Sequence, residues 1–133
     1  MTVTHLNPAT LHQNPAFSQG TIASAGRTLY VGEQNGTDAE GRISGGLAEQ
    51  TAQALRNVLA VLDAGGARST DIVRMTWYLA NTAEYNARLG EIGAVYRDLV
   101  GHHYPAMSAV QVAGFVEDGA KVEIEVTAVL ADD

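Results

Sequence analysis

The stretch Lys121-Val-Glu-Ile-Glu-Val-Thr-Ala-Val-Leu130 alternates polar and apolar side chains from Lys121 to Ala128. A period of two places successive side chains on opposite faces of a β-strand. We therefore expect Val122, Ile124 and Val126 to pack on helices. The opposite face carries Glu123 and Glu125 and lies outside the core. The stretch predicts a strand in a sheet that has helices on one side.

The rest of the chain supplies partners for that strand. Further β-rich runs predict strands at 28–33, 72–79 and 106–112. Apolar residues at helical spacing predict one helix from 47 to 62, stopped by Gly65-Gly66, and a second over 83–100. The fold class is therefore α+β, a mixed sheet with two helices on one face. We expect residues 1–133 to form a single domain, with residues 1–16 as an extended N-terminal arm.

The helix-free face of this sheet is expected to be buried against another surface. Alternation in strand 72–79 predicts that Val73, Met75, Trp77 and Leu79 share one face. On the helix-free face we expect a mixture of apolar and polar side chains, contributed by two strands: Met107, Ala109, Gln111, Val31 and Glu33. That mixture is too apolar to stay exposed and too polar for the core of a monomer. It favours packing against a second copy of the chain.

Composition excludes several functions. The chain has no cysteine, so disulfides, thiolate nucleophiles and Cys-type zinc sites are excluded. Its net charge is −7, and its eight Lys and Arg residues are scattered, which disfavours binding to nucleic acid or to anionic membranes. The sequence has no apolar run long enough to span a membrane and no signal-peptide pattern at residues 1–11, so the cytoplasm is the expected location.

Few residues are candidates for chemistry. His5, His12, His102 and His103 lack metal-ligand spacing and are typical of polar loop residues, although His102 or His103 could shuttle a proton at a cleft rim. The glycine-rich segment 32–46 has no lysine and is interpreted as a surface loop rather than a phosphate site. Two carboxylates on one strand face, such as Glu123 and Glu125, can act as acid and base, or they can simply line a solvated surface.

Three groups of sequence segments together resemble the Rid family, the reactive-intermediate (enamine/imine) deaminases, also called YjgF/UK114-like. They are Pro15-Ala-Phe-Ser-Gln-Gly20 with Leu29-Tyr-Val-Gly32, Gln50-Thr-Ala-Gln-Ala-Leu-Arg-Asn-Val58 with Asp71-Ile-Val-Arg-Met-Thr76, and Pro105-Ala-Met-Ser-Ala-Val110 with Lys121-Val-Glu-Ile-Glu125. The resemblance implies a chorismate-mutase-like fold and a homotrimer that binds small molecules in the clefts between subunits. We expect no metal and no cofactor.

The resemblance also implies site residues. Glu123 matches the glutamate that positions the attacking water, and Gly32 matches a glycine whose backbone holds ligand. Met107 stands where the deaminases have the arginine that clamps a substrate carboxylate. Further replacements that make the expected cleft more apolar or more acidic are Phe17, Val31, Glu33 and Ala109. A thioether cannot replace the charge-assisted bond of that arginine.

The expected activity is hydrolysis of a small imine or enamine that is neutral or cationic, and imino acids are expected to be poor substrates. A non-catalytic ligand-binding or regulatory trimer is the alternative. A ribonuclease or translation inhibitor is disfavoured by the acidity of the chain.

Overall fold

The structure is a computed structural model that describes residues 3–24 and 26–131. Its elements, in chain order, are the strands and helices β1 (Val3–Leu6), β2 (Gly20–Ala23), β3 (Arg27–Gln34), α1 (Leu47–Ala64), a 3-10 turn (Ser69–Asp71), β4 (Ile72–Leu79), α2 (Thr82–Ala87), α3 (Leu89–Leu99), β5 (Ala106–Gln111) and β6 (Val122–Leu130). No helix in these two ranges combines the length and apolar character that a membrane span requires. The α+β class is confirmed.

The main sheet has four strands in the order β3-β6-β4-β5. β6 is antiparallel to both of its neighbours, and β4 runs parallel to β5. The sheet is therefore mixed, as predicted. The last strand of the sequence lies inside the sheet, which explains why its alternation is so regular: Val122, Ile124 and Val126 are at most 1% exposed and face the helices.

Helix α1 covers the sheet with the side chains that its sequence period predicts. Its buried residues include Leu47, Thr51, Ala54, Leu55, Val58 and Leu62. Gly66, with φ of +78°, ends the helix region in a left-handed conformation that favours glycine. Because Leu55 is fully buried, its truncation to alanine would cost about 2–5 kcal/mol of stability.

The second predicted helix, 83–100, is divided in two at Arg88. The Asn81 side chain caps α2 by accepting a bond from the Glu84 N–H at 2.9 Å. Arg88 leaves helical geometry, with φ −119° and ψ 22°, and α3 then begins at Leu89. Leu89 is half exposed, so it adds little to the buried face of α3. Two longer helices and one short helix therefore replace the two that were predicted.

Strand β4 contains an irregularity near its start. Ile72 pairs with Ala128, but Arg74 pairs with Thr127, so Val73 is an extra residue. The predicted inward set of Val73, Met75, Trp77 and Leu79 is wrong at its first member. The fully buried Ile72 takes that place, because the bulge interrupts the alternation.

The N-terminal segment is more ordered than the predicted arm. β1 and β2 form an antiparallel two-stranded sheet, while residues 7–17 contain turns and irregular structure. Residues 1 and 2 of the predicted arm lie outside the described residues. The Thr21 hydroxyl donates to the Val73 carbonyl at 2.7 Å, and the Ser18 N–H donates to the Pro105 carbonyl at 3.1 Å. These bonds fix the hairpin at the start of β4 and β5.

Candidate functional site

The sheet face opposite the helices is uncovered in the single chain. It carries polar residues together with aromatic and aliphatic ones: Thr28, Tyr30, Arg74, Thr76, Tyr78, Ser108, Val110, Glu123, Glu125 and Thr127. Tyr30 is 77% exposed and Val110 is 45% exposed. The Tyr78 hydroxyl donates to Glu125 Oε1 at 3.1 Å, and this bond is the first cause of the raised pKa of Tyr78. We call this surface the open face.

Glu123 is the unusual residue of the open face. It is only 8% exposed, whereas Glu125 on the same strand is exposed. Its Oε2 atom is buried and has no hydrogen-bond partner among the described residues. Burial first, then a hydrogen bond with the Glu117 carboxyl, and then the negative charges of Glu117 and Glu33 raise the pKa of Glu123 to about 7. A carboxyl with such a pKa can both accept and donate a proton near neutral pH.

Glu33 reaches this neighbourhood because β3 bulges. Val31 pairs with Val126 and Gln34 pairs with Ile124, so Gly32 and Glu33 together oppose one residue of β6. The negative charge of Glu33 acts on both Glu123 and Tyr78, which lie on the open face. The space beside Gly32 is empty for 4 Å around the position that a Cβ would take. A ligand therefore has room to approach the backbone there.

A cleft of about 900 Å³ adjoins this group of carboxyls. Its lining residues are Glu33, Gln34, Asn35, Thr37, Asp38, Ala39, Gly41, Ile43, Gln53, Asn57, Glu117 and Asp118. Four of them are acidic, and none is a lysine or arginine. We call it the acidic cleft. Within the described part of the chain, no group of three or more His, Asp or Glu side chains is arranged to hold a metal ion.

Met107 and Ala109 do not lie on the open face. In β5 they pair with Met75 and Trp77, both of which are buried on the helix side. Met107 is half-buried and packs against the core, whereas Ala109 is exposed. Gln111 follows them and accepts a bond from the Thr82 N–H at 2.9 Å. The prediction that these residues share a surface with Glu33 is wrong, because the parallel pairing with β4 places them on its inward side.

Val31 also lies on the helix side, where it is 2% exposed within the core, so its predicted position on the open face is wrong as well. Phe17 is half-buried and precedes Ser18, which bridges to Ala106 at the start of β5. The ligand-binding candidates thus form two groups. Gly32, Glu33 and Glu123 lie together near the acidic cleft, whereas Phe17, Met107 and Ala109 lie on or near β5.

Two of the histidines have structural roles that differ from the predicted polar loop positions. His103 is buried, and its Nε2 atom lies 2.8 Å from the Ile72 carbonyl. Burial, as the first cause, lowers the pKa of His103. The ring of His5 packs edge-on against the ring of His103, with 5.0 Å between the ring centroids. His5 Nδ1 lies 2.8 Å from Ser18 Oγ. These residues join the hairpin to the loop before β5. Nothing in their spacing could have shown this.

Comparisons with known proteins support the resemblance found in the sequence. Residues 8–130 match the family described as Endoribonuclease L-PSP. A human 2-iminobutanoate/2-iminopropanoate deaminase is 34% identical over 115 residues, which cover 85% of this chain and 79% of that protein.

Two solved structures show the same fold. The Rid-family protein YyfB from Yersinia pestis, described as a protein of unknown function, superposes with a TM-score of 0.87 at 32% identity, covering 98% of this chain and 100% of the other. Escherichia coli TdcF with bound serine gives a TM-score of 0.69 at 28% identity and 94% coverage of both chains.

Proposed function

The chain belongs to the endoribonuclease L-PSP (Rid) family, and we propose that it is an imine or enamine hydrolase whose general acid/base is Glu123. The observation that carries this proposal is the state of that carboxyl. Glu123 is nearly buried, has an unpartnered oxygen and has a pKa of about 7. General acid–base catalysis is most effective when the pKa of the group lies near the working pH.

One carboxyl is sufficient for the reaction. The ionised Glu123 accepts a proton from water as the water oxygen bonds to the imine carbon. The imine reacts with its nitrogen already protonated, so the electron pair of the C=N bond moves to that nitrogen and a neutral carbinolamine forms. Glu123 then gives its proton to the nitrogen and the C–N bond breaks. The carbinolamine hydroxyl passes its proton back to Glu123 as the C=O bond forms, a carbonyl compound and an amine or ammonia leave, and Glu123 releases that proton to solvent. Burial of Glu123 beside other carboxyls keeps its proton available for the second step.

We further propose that the complete site forms between copies of the chain, in a homotrimer. Glu123 and Met107 lie on opposite faces of one sheet, so one chain alone does not place both in a single pocket. A site that contains both groups of candidates needs the open face of one subunit and β5 of another. The exposed side chains of Tyr30 and Val110 support a covering partner on the open face.

The substrate that we propose lacks an essential carboxylate. The human relative carries the name of a deaminase of 2-imino acids, which bear a carboxylate. Here Met107 stands at the position where the family resemblance expects an arginine, and the acidic cleft contributes only negative charge. A carboxylate bound there would meet repulsion without a compensating ion pair, so neutral or cationic imines fit better.

The test replaces Glu123 with glutamine. Glu123→Gln keeps the shape but cannot exchange a proton, and kcat/KM for hydrolysis of a simple imine should fall by about 100-fold or more. Glu125→Gln is the matched control, since Glu125 lies two residues away on the same face and is exposed. Light scattering should give the same mass for both variants and for the parent. Full activity in Glu123→Gln would remove Glu123 from the mechanism.

A second candidate is a ligand-binding or regulatory protein that does not turn over its ligand. The replacement at Met107 favours it, because an anchoring charge is missing. Assays of a panel of imino acids and simple imines, with and without the protein, distinguish the two. A ribonuclease is not proposed, because a chain with net charge −7 repels phosphates.

A further inference from the structure

We propose that the acidic cleft holds a cationic group of the ligand, so that the substrates of this site are imines bearing a positive charge. The inference rests on the proposed function, since the same ligand must also reach Glu123. It goes further by assigning a role to Glu117, which no sequence motif marks. The positive charge would be an alkylammonium group or a protonated imine, placed between the carboxylates of Glu33 and Glu117.

Among the described residues, the cleft and its surroundings carry negative charge without a counter-charge. Glu33, Asp38, Glu117 and Asp118 line it without a cationic residue. Lys121 comes two residues before Glu123, but its Nζ atom lies 3.1 Å from Glu84 Oε1. This ion pair directs the charge of Lys121 toward α2. A cationic ligand would therefore meet uncompensated negative charge.

Glu123 has an oxygen without a hydrogen-bond partner within residues 3–24 and 26–131. This side chain is more than nine-tenths buried, and the carboxyls that act on it, Glu117 and Glu33, both line the acidic cleft. A buried polar atom without a partner costs free energy. A ligand N–H placed between these carboxyls would give the oxygen a hydrogen bond and would offset the repulsion.

The side-chain amides of Asn57 and Gln53, which line the cleft, already donate to partners within the protein. Asn57 Nδ2 donates to the carbonyls of Asn35 and Thr37, at 3.1 and 2.9 Å. Gln53 Nε2 donates to Asn57 Oδ1 at 2.9 Å. These N–H groups hold the loop after β3 and are not directed at a ligand. The wall is therefore fixed and rich in acceptors, which suits a cation and disfavours an anion.

Charge recognition of this kind would also assist the chemistry. A protonated imine is more electrophilic than a neutral one, and nearby carboxylates keep its nitrogen protonated. A cation beside Glu123 lowers the pKa of that carboxyl and so provides the carboxylate that activates water. The positive charge of the ligand thus strengthens binding and also favours the ionised form of Glu123.

The experiment uses three imines of benzaldehyde whose amine halves carry a positive charge, no charge or a negative charge. The amines are (2-aminoethyl)trimethylammonium, butylamine and glycine, and the release of benzaldehyde is followed by absorbance. We expect kcat/KM to fall by about tenfold from the trimethylammonium imine to the butylamine imine, and to be lowest with the glycine imine. Glu117→Gln should lower kcat/KM for the trimethylammonium imine by about tenfold and remove that preference. Asp98→Asn, which removes one charge on the helix side, should preserve it.

Each outcome decides between the proposals. Equal turnover of the three imines would overturn the cation site and leave the hydrolase intact. Turnover of none, with calorimetric binding of benzyltrimethylammonium that Glu117→Gln abolishes, would overturn the hydrolase and support the cation site. Neither turnover nor such binding would overturn both.

Discussion

Met107 and Glu123 face opposite sides of the same sheet. Met107 lies beside Met75 on the helix side, and Glu123 lies beside Tyr78 on the open face. If both belong to one site, each comes from a different copy of the chain. Substitutions at Met107 therefore report on the assembled site more than on the single chain.

We expect Met107→Arg to shift substrate preference toward carboxylate-bearing imines. Met107 is only half-buried on the edge strand, so an arginine can extend its charged end to solvent at a cost of about 1 kcal/mol. The ratio of kcat/KM for 2-iminopropanoate to that for a neutral imine should rise by about tenfold. Ammonia release measures both reactions. Met107→Gln is the uncharged control, and an unchanged ratio in Met107→Arg would place Met107 outside the site.

The Glu123 carboxyl should make the protein less stable as pH rises. Its pKa increases from 4.5 to about 7 on folding, so the folded state binds more protons between these values. Its stabilising contribution is complete below about pH 4.5 and is lost as pH rises through 7. Urea unfolding should give a larger free energy of unfolding at pH 5 than at pH 8. In Glu123→Gln this difference should be smaller by about 1–2 kcal/mol. An identical difference in parent and variant would contradict the raised pKa.

A charge on the open face should prevent self-association. Tyr30 is 77% exposed in the single chain, so Tyr30→Lys is tolerated by the fold but places a cation in any interface there. Light scattering between about 1 and 100 µM should show a trimer for the parent and a single chain for the variant. Leu89→Lys, at a half-exposed position of α3, should keep the parental mass. A parent that is a single chain at these concentrations would end the assembly proposal.

The sequence predicts those elements whose alternation is regular. In β6, Val122, Ile124 and Val126 face the core as expected, and the α1 stripe is buried throughout. The errors occur where one residue interrupts the period. Val73 adds a residue to β4, and Arg88 leaves the helical conformation between α2 and α3. Both depend on hydrogen bonds to partners that are distant in sequence or on cap geometry, which a periodic pattern does not contain.

The site was predictable in its residue types but not in its arrangement. Glu123 could be identified from the resemblance, but its burial depends on the packing of the surrounding residues. The face of Met107 depends on its parallel pairing with Met75, which alternation alone does not fix. Glu117 gave no signal, because it lies in the irregular segment before β6 and reaches the cleft only through the fold.

Because β3 bulges at Gly32 and Glu33, the number of residues in this part of β3 affects the site more than the identity of any single side chain does. Deleting Gly32 would restore strict alternation with β6, place Glu33 directly opposite Glu125 and leave Gln34 opposite Ile124. The open space beside the Gly32 backbone would then be lost, although almost every residue was kept. Relatives one residue shorter at this point should therefore admit ligands less closely to the β3 backbone, even where their glutamates align.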